Sequence, residues 1–217
     1  MPVRKVSHGG GNVIGSFPSL KMGRMIAFES LLERDFIYLL DYDQEVEWFE
    51  EQPLTIEYCH EGKTLHYTPD FNLLERGRDV LIECKPDRFA DQDVNRHKFA
   101  VARDWCLQRS WQFRVVTDRQ VRAGFRLQNI KLLTRYARQS VSPDLRGRVY
   151  ALLYGPQTQL TVDAVAKTIS PDAPAAAIGG ILHMAYHHEI SIQVSDTPIS
   201  RDSFIGPPAR AREGGKS

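Results

Sequence analysis

Two carboxylates and one lysine near the middle of the chain could together bind a divalent cation and act on a phosphate. Asp70 follows Thr68-Pro69, and Glu83 and Lys85 flank Cys84 after a gap of twelve residues. Alternate residues of a strand point to the same face, so Glu83 and Lys85 are predicted to project together. A hairpin turn near Gly77 would place Asp70 beside Glu83. The spacing therefore predicts that the three side chains share one site.

A third carboxylate, Glu29, precedes this pattern on a predicted helix over residues 25–40. Carboxylate oxygens are the ligands that Mg²⁺ prefers, with Mn²⁺ as a substitute. A bound cation would activate water and stabilise charge on a phosphate, and Lys85 would orient that water or contact the phosphate. Glu29, Asp70, Glu83 and Lys85 are the predicted catalytic residues.

A structural interpretation of the same residues stays open at this point. Glu83 and Lys85 could form an exposed ion pair on a strand, with Asp70 as an ordinary turn residue. The pattern Pro-Asp followed by Glu-x-Lys is short and occurs by chance in many chains. Here it falls on a turn followed by a strand, after a helix that carries a glutamate, and this context favours the catalytic interpretation.

Hydrophobic periodicity predicts a mixed α/β chain. Besides the helix over residues 25–40, helices are predicted at 91–109, 126–138, 160–168 and 173–188. Strands are predicted at 46–49, 54–58, 65–74, 80–85, 111–116 and 190–194.

Composition and the positions of helix-breaking and turn-forming residues divide the chain into four predicted parts. Residues 1–24 are rich in Gly and basic residues and are predicted to form a flexible arm. A nuclease-like domain is expected over 25–142, and Ser142-Pro143-Asp144 marks the start of a smaller domain over 143–205. Residues 206–217 are expected to be a disordered tail.

Charge is distributed unevenly although the net charge is only +1. Acidic residues dominate residues 27–93 and basic residues dominate 109–148, which suits a cation site followed by a phosphate-binding surface. The basic residues that could track a DNA backbone are Arg119, Arg122, Arg126, Lys131, Arg135 and Arg138. An ordinary solvated face is an equally good interpretation of this set.

Other classes of function lack support in the sequence. The three cysteines show no paired spacing and are interpreted as reduced thiols of a cytoplasmic bacterial protein. No run of apolar residues predicts a membrane span, and no P-loop occurs, so any use of ATP would belong to a partner. His183 and His187 have the spacing of a helical zinc pair, but no third ligand accompanies them, and a zinc site is not expected.

Five blocks in order resemble TnsA-type endonuclease subunits of heteromeric transposases, within the PD-(D/E)xK superfamily. They are FESLLERDF at 28–36, EQPLTI at 51–56, YTPDF at 67–71, IECKP at 82–86 and FRVVT at 113–117. The resemblance covers about residues 20–140 and implies a restriction-endonuclease-like core, a mixed sheet flanked by helices. The segment after it resembles a winged-helix domain in outline.

The resemblance also implies roles for individual residues and partners. Glu29 corresponds to the acidic helix residue of the family, Asp70 to its aspartate and Lys85 to its catalytic lysine. Glu83 and the backbone carbonyl of Cys84 are the further metal ligands that it implies. The family nicks the 5′ strands at transposon ends in double-stranded DNA, while a DDE-type transposase cuts and joins the 3′ strands and an AAA+ ATPase regulates the complex.

Two other functions compete with this one. The chain could be another nuclease of the same fold, such as a restriction or junction-resolving enzyme. It could also be a catalytically silent DNA-binding scaffold, although all four expected site residues are present.

Overall fold

A computed structural model describes residues 13–156 and 159–208, and these fall into two compact units that divide between Ala123 and Gly124. The sequence placed the domain boundary later, at residues 142–143. The difference arises because helix Arg126–Thr134, expected in the nuclease-like domain, packs against helix Pro174–Tyr186 of the second unit. Within the described ranges, no helix has the length and apolar character needed to cross a lipid bilayer.

The first unit has eight strands and four helices in the part that the structure describes. The strands are β1 (Gly15–Pro18), β2 (Met25–Phe28), β3 (Val46–Glu51), β4 (Ile56–His60), β5 (Lys63–Tyr67), β6 (Phe71–Glu75), β7 (Arg78–Cys84) and β8 (Gln112–Val116). The helices are α1 (Leu31–Tyr42), α2 (Asp87–Ala90), α3 (Asp93–Leu107) and α4 (Asp118–Val121).

The central element of the first unit is a four-stranded sheet in the order β3-β6-β7-β8. β3, β6 and β7 are antiparallel neighbours, whereas β8 runs parallel to β7 after the crossover through α3. Phe49, Phe71, Leu73, Leu81 and Ile82 are fully buried in these strands, which explains their apolar runs. This mixed sheet with flanking helices is consistent with a restriction-endonuclease-like core.

The single strand predicted over residues 65–74 is in fact two strands in different sheets. β5 pairs with β4 in a two-stranded ribbon, and β6 joins the four-stranded sheet. The break falls beside Pro69, which has no amide hydrogen to donate to a ladder. Asp70 therefore lies between two strands instead of inside one.

The beginning of the described chain is folded, contrary to the predicted flexible arm. β1 and β2 form an antiparallel hairpin, so the first four residues of the helix predicted over 25–40 are a strand. Helix α1 begins only at Leu31, because Ser30 caps it by accepting a hydrogen bond from the backbone N–H of Glu33 at 3.1 Å. The part of the predicted arm that precedes residue 13 lies outside the described residues.

Lys21 ties the hairpin connection to the end of α1. Its Nζ donates to the carbonyl oxygens of Leu40 at 2.7 Å and Val46 at 2.6 Å, and also to that of Asp43. Burial lowers the pKa of Lys21, and the nearby Asp43 and Asp41 oppose that effect. Lys21, which was predicted to lie in the flexible arm, thus holds the hairpin connection to α1 through hydrogen bonds.

The second unit contains four helices and three short strands among the described residues. They are α5 (Arg126–Thr134), α6 (Pro143–Leu153), β9 (Leu160–Thr161), α7 (Val162–Ile169), α8 (Pro174–Tyr186), β10 (Ser191–Ile192) and β11 (Phe204–Gly206). The strands form an antiparallel sheet in the order β10-β11-β9. Gly206, the first residue of the predicted disordered tail, belongs to β11, and residues 209–217 lie outside the described residues.

The sequence missed α6, whereas it predicted α8 as a helix over residues 173–188. Ser142-Pro143-Asp144 starts α6 instead of separating two domains, because Ser142 caps the helix and Pro143 occupies its first turn. Gly179 and Gly180 do not interrupt α8: a Cβ on Gly180 would lie only 3.1 Å from the Leu145 side chain of α6. The glycine permits that close approach of the two helices.

The histidine pair of the second unit is engaged with backbone atoms. His183 Nδ1 lies 3.1 Å from the carbonyl oxygen of Tyr136, and His187 Nε2 lies 2.8 Å from that of Ala137. Each of these nitrogens must carry a hydrogen to bond a carbonyl. The pair anchors α8 to the segment after α5.

We predict that Lys21→Met lowers the free energy of unfolding of the first unit by about 2 kcal/mol, because hydrogen bonds from a charged group to buried carbonyls are lost. Urea unfolding followed by tryptophan fluorescence measures this, since Trp48, Trp105 and Trp111 all precede Gly124. The exposed Lys63, replaced by Met, is the matched control. Equal stabilities of the two variants would contradict the role of Lys21.

Candidate active site

Asp70 is fixed against the end of β7 by two hydrogen bonds. Its backbone N–H donates to the Ile82 carbonyl at 3.0 Å, and its Oδ2 accepts from the backbone N–H of Cys84 at 2.6 Å. The backbone N–H of Lys85 donates to the Val116 carbonyl at 2.9 Å, which extends the pairing of β7 with β8. The sheet therefore brings Asp70 to the strand that carries Glu83 and ends before Lys85.

A cavity of about 590 Å³ opens at this edge of the sheet. Its walls combine four carboxylates with three basic side chains. The carboxylates are Glu33, Asp70, Glu83 and Asp118, and the basic residues are Lys85, Arg88 and Arg122. Such a mixed lining suits both a cation and a phosphate group.

Glu83 is a buried carboxylate with several partners. Only 4% of the residue is exposed. Its Oε2 accepts a hydrogen bond from the hydroxyl of Tyr67 at 2.8 Å, and its Oε1 accepts one from Lys98 Nζ at 2.6 Å. Lys85 Nζ lies 3.6 Å from the same Oε1. The interpretation of Glu83 and Lys85 as an exposed strand pair is therefore wrong.

The helical glutamate in this cavity is Glu33, whereas Glu29 is not among the residues that line it. Glu29 precedes α1, and its Oε1 accepts a hydrogen bond from Gln52 Nε2 at 2.9 Å. The backbone N–H of Glu29 donates to Glu33 Oε2 at 2.7 Å. Glu29 thus holds Glu33, and the structure gives the two residues different positions relative to the cavity.

The sequence contained a signal for Glu33. Ser30 and Glu33 have the spacing of a helix cap followed by an acidic residue in the first turn. This cap predicts that α1 starts at Leu31 and that Glu33 lies in its first turn. The helix predicted over residues 25–40 began before Ser30 and therefore included Glu29.

Burial and neighbouring carboxylates raise the pKa values of two acidic side chains in the site. Burial raises the pKa of Asp70 well above its ordinary value, and the charges of Glu83 and Glu33 raise it further. Burial also raises the pKa of Glu33, with smaller contributions of the same sign from Glu29 and Glu83. A positive charge between these groups would stabilise their ionised forms.

The donor chemistry of the cavity fits a hard divalent cation. The acidic side chains in its wall offer oxygen ligands, as Mg²⁺ and Mn²⁺ require. Burial raises the pKa of the Cys84 thiol, and the neighbouring Asp70 raises it further. In the part of the chain that the structure describes, no group of three or more His, Cys, Asp or Glu side chains is placed so that it could hold a metal ion as it stands.

Comparison with known families supports the endonuclease resemblance. Residues 43–118 match the family model described as TnsA-like endonuclease N terminal. Asp70, Glu83 and Lys85 fall inside this match, and Glu29 and Glu33 precede it. A comparison with curated proteins gives no match. The match over residues 43–118 therefore supports the resemblance to TnsA-type endonucleases that the sequence predicted.

Proposed function

We propose that this protein is the metal-dependent DNA endonuclease subunit of a heteromeric transposase, and that it nicks the 5′ strands at transposon ends. The observation that carries the proposal is the convergence of Glu33, Asp70, Glu83 and Lys85 in one cavity. Three of these residues lie inside the match to a TnsA-like endonuclease. The proposed partners are a DDE-type transposase, which cuts and joins the 3′ strands, and an AAA+ ATPase regulator.

The proposal gives a chemical role to six side chains and one backbone carbonyl of the cavity. Glu33, Asp70 and Glu83, with the Cys84 carbonyl, would hold Mg²⁺ or Mn²⁺. A bound cation would act as a Lewis acid that activates water and stabilises the charge that develops on the phosphate. Lys85, whose side chain is 27% exposed, donates a hydrogen bond to the scissile phosphate or its attacking water. Arg88 and Arg122 attract the flanking phosphates.

We further propose that the second unit is winged-helix-like and serves protein or DNA contacts. The order α6-β9-α7-α8-β10-β11, with β11 central in the sheet, supports this proposal. In many such domains one helix enters the major groove. Here α8 is buried from Gly179 to Tyr186 and carries no Lys or Arg. We therefore assign any phosphate contacts of this unit to elements other than α8.

Strand-specific cleavage tests the proposed activity. The substrate is DNA carrying an element end, and the protein is mixed with the proposed DDE-type transposase and AAA+ ATPase. We expect 5′-strand nicking to need Mg²⁺ and to fall by about 10²–10³-fold in Lys85→Ala, because a donor to the reacting phosphate is lost. Cutting of the 3′ strand should persist.

The control is Lys63→Ala, which removes an exposed lysine of β5. If Lys85→Ala nicks the 5′ strand at the wild-type rate, the catalytic role of this lysine is refuted. If EDTA leaves 5′ nicking intact, the metal requirement is refuted.

A matched pair of variants separates the two glutamates at the start of α1. Glu33→Gln removes a charged ligand from the cavity, whereas Glu29→Gln keeps an oxygen that can accept from Gln52. We expect 5′ nicking by Glu33→Gln to be at least about tenfold slower than by Glu29→Gln. The reverse ranking would return the metal-binding role to Glu29.

The raised carboxyl pKa values predict a pH dependence of stability. Asp70 and Glu33 bind protons more tightly in the folded protein than in the unfolded chain. In EDTA, stability should therefore fall as the pH rises above the ordinary carboxyl range of about 4. Melting temperatures from tryptophan fluorescence should show Mg²⁺ stabilising the first unit more at higher pH. A gain from Mg²⁺ that does not change with pH would contradict this linkage.

A further inference from the structure

Lys98, in the middle of α3, occupies an enclosed position against the candidate active site. Its Nζ lies 2.6 Å from Glu83 Oε1. The same atom lies 4.6 Å from the centre of the Tyr67 ring and 5.4 Å from that of Phe99. Only 20% of the side chain is exposed. The Lys98 ammonium group thus contacts one carboxylate and lies near two aromatic rings, on a side chain that is mostly shielded from solvent.

The two lysines near Glu83 differ in how they contact it. Lys98 makes a short, charge-assisted hydrogen bond to Oε1, whereas Lys85 approaches the same oxygen only to 3.6 Å. Lys85 is among the residues that line the cavity, and Lys98 is not. One lysine is therefore bound to the carboxylate, and the other faces the space where a substrate would lie.

We infer that Lys98 is the counter-ion and positioning residue of Glu83, and that it thereby leaves Lys85 available to the phosphate. The part of this inference that concerns the phosphate rests on the proposed endonuclease function. The pairing of Lys98 with Glu83 is a separate property of the protein and does not depend on that function.

Burial makes a counter-ion necessary. A carboxylate that is 4% exposed loses most of its hydration, and three further carboxylates line the same cavity. A lysine that neutralised Glu83 closely would not be free to contact a phosphate. Lys98 provides the compensating charge from α3, so Lys85 does not have to provide it.

Orientation is the second contribution of this arrangement. The Tyr67 hydroxyl donates to Oε2 of Glu83, and Lys98 donates to Oε1. Donors on both oxygens fix the plane of the carboxylate, while each oxygen keeps further lone-pair positions for a metal. Tyr67 and Lys98 thus hold a proposed ligand in place and also contact each other through the tyrosine ring.

A double-mutant cycle in EDTA tests the pairing without metal or substrate. Lys98→Met and Lys85→Met are each made in the wild-type and Glu83→Gln backgrounds of the full chain. Urea unfolding is followed by the tryptophans, all of which lie in the first unit. Methionine keeps an apolar chain against the rings of Tyr67 and Phe99.

We expect the unfolding equilibrium constant to show at least about tenfold coupling between Lys98 and Glu83, and less than about threefold between Lys85 and Glu83. Arg96→Met is the control, because Arg96 lies on α3 with 65% of its side chain exposed. Stronger coupling of Glu83 to Lys85, or coupling to Lys98 no larger than that to Arg96, would overturn the pairing.

Nicking of the 5′ strand tests the consequence for Lys85. Without Lys98, Glu83 should draw Lys85 closer, so Lys98→Met should slow nicking at least about tenfold in the wild-type background. In the Glu83→Gln background the same change should slow nicking much less. Equal slowing in both backgrounds would overturn the claim that Lys98 frees Lys85. If even the wild-type protein fails to nick, the proposed function fails, and the unfolding cycle alone decides the pairing.

Discussion

The burial of Glu83 at the end of β7 is the constraint on which the candidate site depends. A carboxylate this far from solvent must have partners, and Tyr67 and Lys98 supply them from two other elements. Asp70 and Glu33 add like charges to the same cavity. The surroundings therefore compensate Glu83, whereas burial and neighbouring carboxylates raise the pKa values of Asp70 and Glu33, whose ionised forms a divalent cation in the cavity would stabilise.

The four-stranded sheet fixes the positions of the site residues at the end of β7. β7 lies between antiparallel β6 and parallel β8, so its carboxyl end is held from both sides. Asp70 bonds to that end through backbone and side chain, and the N–H of Lys85 bonds to β8. Asp70, Glu83 and Lys85 are thus placed by main-chain pairing, whereas Glu33 and Lys98 come from the helices α1 and α3.

The sequence predicted the part of the site that depends on local rules. Asp70, Glu83 and Lys85 are joined by one hairpin, and the two-residue period of a strand was enough to bring them together. Glu33 and Lys98 could not be found in the same way. The position of Glu33 depends on where α1 starts, and the helix predicted over residues 25–40 began before the Ser30 cap that marks this start. Lys98 matters only because α3 packs against β8 and its lysine reaches Glu83 of β7, and periodicity does not reveal such a contact. The same reason explains the boundary at Ala123, since α5 joins the second unit by packing on α8.

The most direct test of the central claim is the position of a bound metal. Crystals of the protein grown or soaked with Mn²⁺ would give an anomalous difference peak that locates the ion without any assumption about activity. The proposal predicts a peak in the cavity, coordinated by carboxylate oxygens of Glu33, Asp70 and Glu83. A Mn²⁺ ion bound by Glu29 in place of Glu33, or a cavity that stays without an anomalous peak at saturating Mn²⁺, would contradict it.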